Sequence, residues 1–377
     1  MNYTNTLNSK PEPCACKPIS SSMYKSTLFA TLLLASLSAY ALTNAATANV
    51  IATAVTAPAK PAATAAPDVG AAAFREGNFA LAFQDWSTRA ASGEAAAQHN
   101  LGTLYMSGKG PDKDEAKAME WFGKAAASGY ASSQFNLAEG YRLGIGVEKD
   151  MAQAIAWYQK AAAQGLASAQ VTLGICHEMG LGVPKDMEQA NKLYRAAADQ
   201  QNAEAQFRLA RIFALGLGTE VDQRVANIYS AQAADQGHPQ AQTYLATQYL
   251  SGASMPRDVN LAIHLLAQAA RQGHARAFAW LGNIYSEGNG IAADLPRAYL
   301  YFSIADRLDT AKEMQDMPNK QKLGLAFRLK TEEIQQAMTL ASEWKLGNLP
   351  PRLVLPVLNT NQAKPEIYRG EVYYLKN

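Results

Sequence analysis

Arg208 and Arg211 stand three residues apart with Phe207 beside them, and Tyr244 and Trp280 follow 36 and 72 residues past Arg208. Two guanidinium groups on one helix face would offer charge-assisted donors to a carboxylate, and the aromatic rings would take up an apolar side chain. That is binding chemistry. Other reactive residue types do not converge. The histidines, His99, His177, His238, His264 and His274, lie in unrelated contexts, and packing accounts for them without catalysis. Six aspartates, Asp114, Asp150, Asp186, Asp222, Asp258 and Asp294, recur every 36 residues, too far apart along a regular structure to share a metal ion. Cys176 is the one cysteine beyond Cys16, so the later chain holds neither an internal disulfide nor a thiolate metal site, and buried filler is its expected role. Glycines such as Gly144-Ile145-Gly146 and Gly180-Leu181-Gly182 return with the same period and form no phosphate loop. The sequence therefore predicts no catalytic residue, no cofactor and no metal site.

The elements that carry these residues follow from the same 36-residue shift. Leu101, Leu137, Leu173, Leu209, Leu245 and Leu281 form one column, and Gly108, Gly144, Gly180, Gly216, Gly252 and Gly288 another. Two columns are all alanine, from Ala118 to Ala298 and from Ala125 to Ala305, and the aspartates make the fifth. The spacing predicts a first helix from about Ala97 to Ser107 with Leu101 and Tyr105 on its buried face, then a glycine loop. The aspartate caps a second helix whose stripe is Ala118, Trp121, Phe122 and Ala125, and Gly129, Gly165, Gly237 and Gly273 close it. Such a hairpin cannot bury its face alone, so copies must stack.

These columns resemble the Sel-one-like repeat family, a relative of the tetratricopeptide repeat. Ala152-Gln153-Ala154-Ile155-Ala156-Trp157-Tyr158-Gln159-Lys160-Ala161-Ala162-Ala163-Gln164-Gly165 carries the family's alanine, tryptophan–tyrosine, lysine–alanine–alanine and glycine pattern. Leu173-Gly174 with Gly180-Leu181-Gly182-Val183 and Asp186 carries its glycine-rich loop. The resemblance implies an all-α fold, a right-handed α/α superhelical solenoid of helix–loop–helix repeats, acting as a scaffold. Some cysteine-rich members have been linked to β-lactams, but their hallmark is a disulfide in each repeat, which one cysteine cannot supply.

The expected organisation is a signal peptide over 1–41, an Ala/Thr/Pro-rich linker over 42–67 and an atypical tetratricopeptide-like hairpin over 68–94. Six repeats follow at 95–130, 131–166, 167–202, 203–238, 239–274 and 275–310, then capping helices over 311–347 and an extended tail over 348–377. The signal is read from Lys25, the apolar run Leu28 to Leu37 and the small-residue sites Ala39-Tyr40-Ala41 and Ala46-Thr47-Ala48, with Met23 as an alternative start. The expectation is an exported, periplasmic protein, with secretion or an uncleaved inner-membrane anchor as the alternatives. Of 34 basic and 32 acidic residues the first 41 positions remove three and one, leaving 31 of each, and that balance gives no electrostatic footprint for nucleic acid.

Function is then expected on the columns of the first helices that packing does not use. Along the stack these are Asn100, then Asn136, Glu139 and Arg142, then Phe207, Arg208 and Arg211, then Tyr244, and last Trp280 and Asn283. They are read as a concave groove for a protein or peptide partner, with a membrane-tethered regulator using the same groove as the second reading and an envelope hydrolase as the third.

Overall fold

A computed structural model describes residues 68–308, apart from 289, together with 320–348. The signal, the linker and the tail beyond 348 lie outside these residues. Within them every regular element is a helix. The chain opens with α1 (Val69–Arg75) and α2 (Phe79–Ala91), a hairpin with no long loop. Six pairs follow: α3 (Ala95–Ser107) with α4 (Glu115–Ala127), α5 (Ala131–Leu143) with α6 (Met151–Ala163), and α7 (Ala167–Met179) with α8 (Met187–Ala198). Then come α9 (Ala203–Leu215) with α10 (Gln223–Asp235), α11 (Pro239–Ser251) with α12 (Val259–Arg271), and α13 (Ala275–Glu287) with α14 (Leu295–Leu308). A helical stretch at 320–326 and α15 (Thr331–Glu343) complete the described chain. Each helix packs on the one before and the one after it, so the core runs as a line of linked clusters along a solenoid.

The aspartate column does two jobs in each pair. Its carboxylate accepts the backbone N–H three residues on, as Asp186 does from Gln189 at 2.9 Å and Asp294 from Arg297 at 3.0 Å. Its own N–H donates back to the first helix, Asp186 to the His177 carbonyl at 2.9 Å and Asp150 to that of Tyr141 at 2.9 Å. One residue thus starts the second helix and pins the loop to the first. The loop leaves the first helix through a left-handed residue, Gly180 at φ 74° for example, where only glycine avoids a Cβ clash.

Packing between the paired helices is ring against small residue. Phe122, Tyr158, Tyr194 and Phe302 are buried, and a Cβ built on Gly174 would stand 2.6 Å from the Tyr194 ring. Among the described residues one non-glycine has positive φ: Gln201, at 61°. It occupies the column where Gly129, Gly165, Gly237 and Gly273 close the other second helices.

Candidate functional site

The first helices form the inner layer of the solenoid. On α5 every residue from Ser133 to Gly140 is buried, and on α11 every residue from Ala241 to Tyr249, whereas the second helices keep a solvated stripe. Inner helices also touch one another across repeats. The Nδ1 of His99 lies 2.8 Å from the hydroxyl of Ser133, Arg208 on α9 reaches Glu178 on α7, and His238 at the start of α11 reaches Glu204 on α9.

These inter-repeat contacts overturn one expectation. Asn136, Glu139, Arg208, Arg211 and Tyr244 do not stand free of the packing; all five are buried, Arg208 to 7% and Arg211 to 6% exposure. Asn100, Arg142, Phe207, Trp280 and Asn283 are partly buried, and Phe207 and Trp280 also lean on the core. The cause is stacking: columns beside the buried stripe of one hairpin become the seam against the next hairpin, as the contacts of His99, Arg208 and His238 show.

Arg208 anchors a chain of charges from the third repeat to the end of the fourth. Its Nε donates to Glu204 Oε1 at 2.6 Å, and its Nη1 donates to Glu178 Oε2 at 3.2 Å. Tyr194 donates its hydroxyl to the same Glu178 oxygen at 2.7 Å. The Ala241 N–H donates to His238 Nδ1 at 3.3 Å, which assigns the proton of a neutral imidazole to Nε2, and this nitrogen lies 2.9 Å from Glu204 Oε2. Burial alone would raise the Glu204 pKa, but the His238 hydrogen bond and the Arg208 charge outweigh it and hold the group at about 2. A smaller set in the second repeat joins Arg142 to Glu139 at 2.6 Å, with the buried Tyr158 hydroxyl donating to Glu139 as well.

Arg211 and Asn136 are among the buried polar groups on this inner layer that are not spent. Arg211 lies 3.7 Å from Glu178, and its Nε and Nη2 have no hydrogen-bond acceptor. Burial lowers its pKa from the ordinary arginine value, the Glu178 charge opposing. Asn136, at 1% exposure, has neither a donor for its carbonyl nor an acceptor for its amide. Buried polar atoms left unpaired cost about 1–3 kcal/mol each. These atoms are buried, so a guest reaches them only where the inner layer parts to admit it. The layer's carboxylates are already claimed by arginine, tyrosine and histidine.

A second line of polar residues joins the repeats. Gln134 donates to the Ala126 carbonyl at 3.2 Å and accepts from Gln164 at 2.7 Å. Gln170 donates to Ala162 and accepts from Gln200, and Gln242 donates to Ala234 and accepts from Gln272. Gln236 donates to Gln206. In the first repeat Ser128 replaces the donating partner, and the carbonyl oxygen of Gln98 is left unpaired. This ladder was legible in the sequence and was missed: Gln98, Gln134, Gln170, Gln206 and Gln242 share a column. The sixth member is Phe278, whose ring meets that of Trp344 edge-on at 5.2 Å.

The Sel1 repeat family matches residues 95–130, 131–166, 167–202, 203–238, 239–274 and 275–305. The chain belongs to that family. Among solved structures, a Sel1 repeat protein from Oxalobacter formigenes superposes with a TM-score of 0.60 at 30% identity, covering 64% of this chain and 98% of that one. A protective antigen of uropathogenic Escherichia coli strains with an SLR fold gives a TM-score of 0.51 at 26% identity, over 72% of this chain and 66% of that one. No curated protein matches significantly. Both likenesses agree with the geometry: consecutive Sel1 hairpins in a solenoid, a scaffold used in protein interaction.

Proposed function

We propose that this Sel1 repeat chain is an exported scaffold that binds a protein or peptide partner along its inner layer. The observation that carries the reading is the unspent polarity there, Arg211 with two nitrogens lacking acceptors and Asn136 with an unpaired amide. A solenoid that only had to stay folded would lose nothing by replacing them with apolar side chains. An extended guest brings the missing groups, a carboxylate or main-chain carbonyls for Arg211 and a peptide unit for Asn136. The partly buried Phe207 and Trp280 lie on the same layer and offer apolar area to its side chains. Export rests on the basic flank, apolar run and cleavage sites of residues 25–48.

The test is to recover partners of the mature chain from the native cell envelope and to measure the affinity of the recovered partner for variants. Arg211→Ala and Asn136→Ala are expected to weaken binding by about 1–3 kcal/mol without loss of fold. Unchanged affinity in both would remove the inner layer as the binding surface. N-terminal sequencing of the exported chain should find a start at Leu42 or Asn49; an intact Lys25 in the mature protein would instead favour a membrane tether.

A further inference from the structure

On the outer layer a cavity of about 430 Å³ opens between α4 and α6, floored by Leu137 and Tyr141 of α5. Its walls are Ala116, Met119, Gly123 and Ala127 on one side and Trp157 and Val147 on the other, with Glu120 at the rim. Lys160 sits over the Trp157 ring at 3.7 Å, which holds that wall in place. The volume is within the range of ordinary ligand pockets.

Gly123 is the residue that needs explaining. It lies inside a helix, and its φ is not among the positive ones, so its conformation does not require glycine. Packing does not require it either, because a Cβ there would meet nothing within 4 Å. A glycine inside a helix costs about 0.5–1 kcal/mol relative to alanine. The other repeats avoid that cost, placing Gln159, Arg195, Ala231, Ala267 and Ser303 in this column. What Gly123 does is leave the cavity open. Trp157 has a counterpart in Leu193 one repeat later, so the ring wall and the missing side chain occur together at this groove and not at the next.

We infer that this cavity is a second binding site, separate from the inner layer, and that it takes an aromatic side chain of a partner polypeptide with a basic residue next to it. The lining combines two aromatic rings with the Met119 thioether, surfaces to which a ring presents its edge or face favourably. Glu120 is the one charged residue lining the cavity and is 63% exposed in its ion pair with Lys124 on the same helix. An exposed pair of that kind is worth little, so an incoming lysine or arginine can displace Lys124 from it.

The experiment uses a phage-displayed library of random linear peptides selected on the full chain, with the enriched peptides then titrated by calorimetry. Peptides carrying Trp, Phe or Tyr beside Lys or Arg are expected to be enriched. They should bind Gly123→Gln, which installs the side chain of the next repeat, at least ten-fold more weakly, and bind Arg211→Ala as they bind the unaltered chain. Gly123→Gln should melt at or above the temperature of the unaltered chain. A lower melting temperature would mean that glycine serves packing. Selection that yields no peptide sensitive to Gly123→Gln would remove the site. A sedimentation shift on that substitution would make a second copy of this chain the occupant and overturn the partner assigned here. Sensitivity to Arg211→Ala instead would return the peptides to the inner layer, leaving that proposal standing and this one refuted.

Discussion

Arg208 neutralises two carboxylates at once, and its removal would leave the buried Glu178 with only Tyr194 and the more distant Arg211, and the partly buried Glu204 with only His238. Arg208→Ala is therefore expected to destabilise the fold by about 3–5 kcal/mol, read from urea unfolding at neutral pH. The sequence suggested the opposite, a guanidinium held ready for a partner, because Glu178 lies 30 residues away and nothing in a single helix face reveals it, whereas Glu204, four residues earlier on the same face, was legible as a partner. Acid should act through two groups. Glu204 is held at about 2 when folded, so the unfolded chain takes up its proton first and stability falls as pH drops below the ordinary carboxylate range toward 2. His274 is lowered to about 3, first by burial and then by the nearby Arg276 and His238 charges, so it too costs stability in acid, from its ordinary 6.5 downward. The fold should begin to weaken just below neutral pH. His274→Asn is expected to flatten the leg between pH 6.5 and about 4.5 in melts across pH, because Asn202 already caps the equivalent helix without titrating.

At the scale of the element, the ends of α8 make contrasting cases. Its start is well capped, and Asp186→Ala should cost about 0.5–2 kcal/mol while leaving partner affinity untouched below melting. Its end turns through Gln201 in a left-handed conformation that a side chain adopts at a cost of roughly 1–2 kcal/mol. Gln201→Gly should recover part of that and raise the melting temperature. Both features could be read from the 36-residue columns, one by its constancy and the other by the departure from glycine at Gln201. Caps, turns and the alanine contacts depend on residues close in sequence, so periodicity exposes them. The open cavity at Gly123 was less legible, since a glycine amid varied residues carries no column signal until its empty surroundings are seen.

Across the whole molecule, stability in a stacked array is a sum of hairpins and the interfaces between them. The final interface is closed differently from the rest, by Phe278 against Trp344, whose indole N–H donates to the Asn348 carbonyl at 2.8 Å. Arg307 fastens the same helix by donating to the carbonyls of Ser342 and Trp344. Trp344→Ala is expected to cost about 3–5 kcal/mol. The loss should not be uniform: hydrogen exchange ought to accelerate most in α13 and α14 and fade toward the first repeats. Equal acceleration throughout would mean that the array unfolds as a single unit.

The glutamine ladder has a further consequence, for how such a chain can change. Four of the five rungs, Gln98, Gln134, Gln170 and Gln242, reach the same carbonyl of the preceding hairpin, so these rungs do not distinguish one neighbour from another. Excising 167–202 would bring Gln206 to the Ala162 carbonyl that Gln170 now holds, and the backbone could close over the loss. The charge chain does distinguish. The same excision removes Glu178 and Tyr194 and leaves Arg208 facing a repeat with no carboxylate at the position of Glu178, since Arg142 stands there. Whole periods can thus be gained or lost more freely ahead of the third repeat, while the third and fourth repeats are tied to their present order and the sixth to its contact with Trp344.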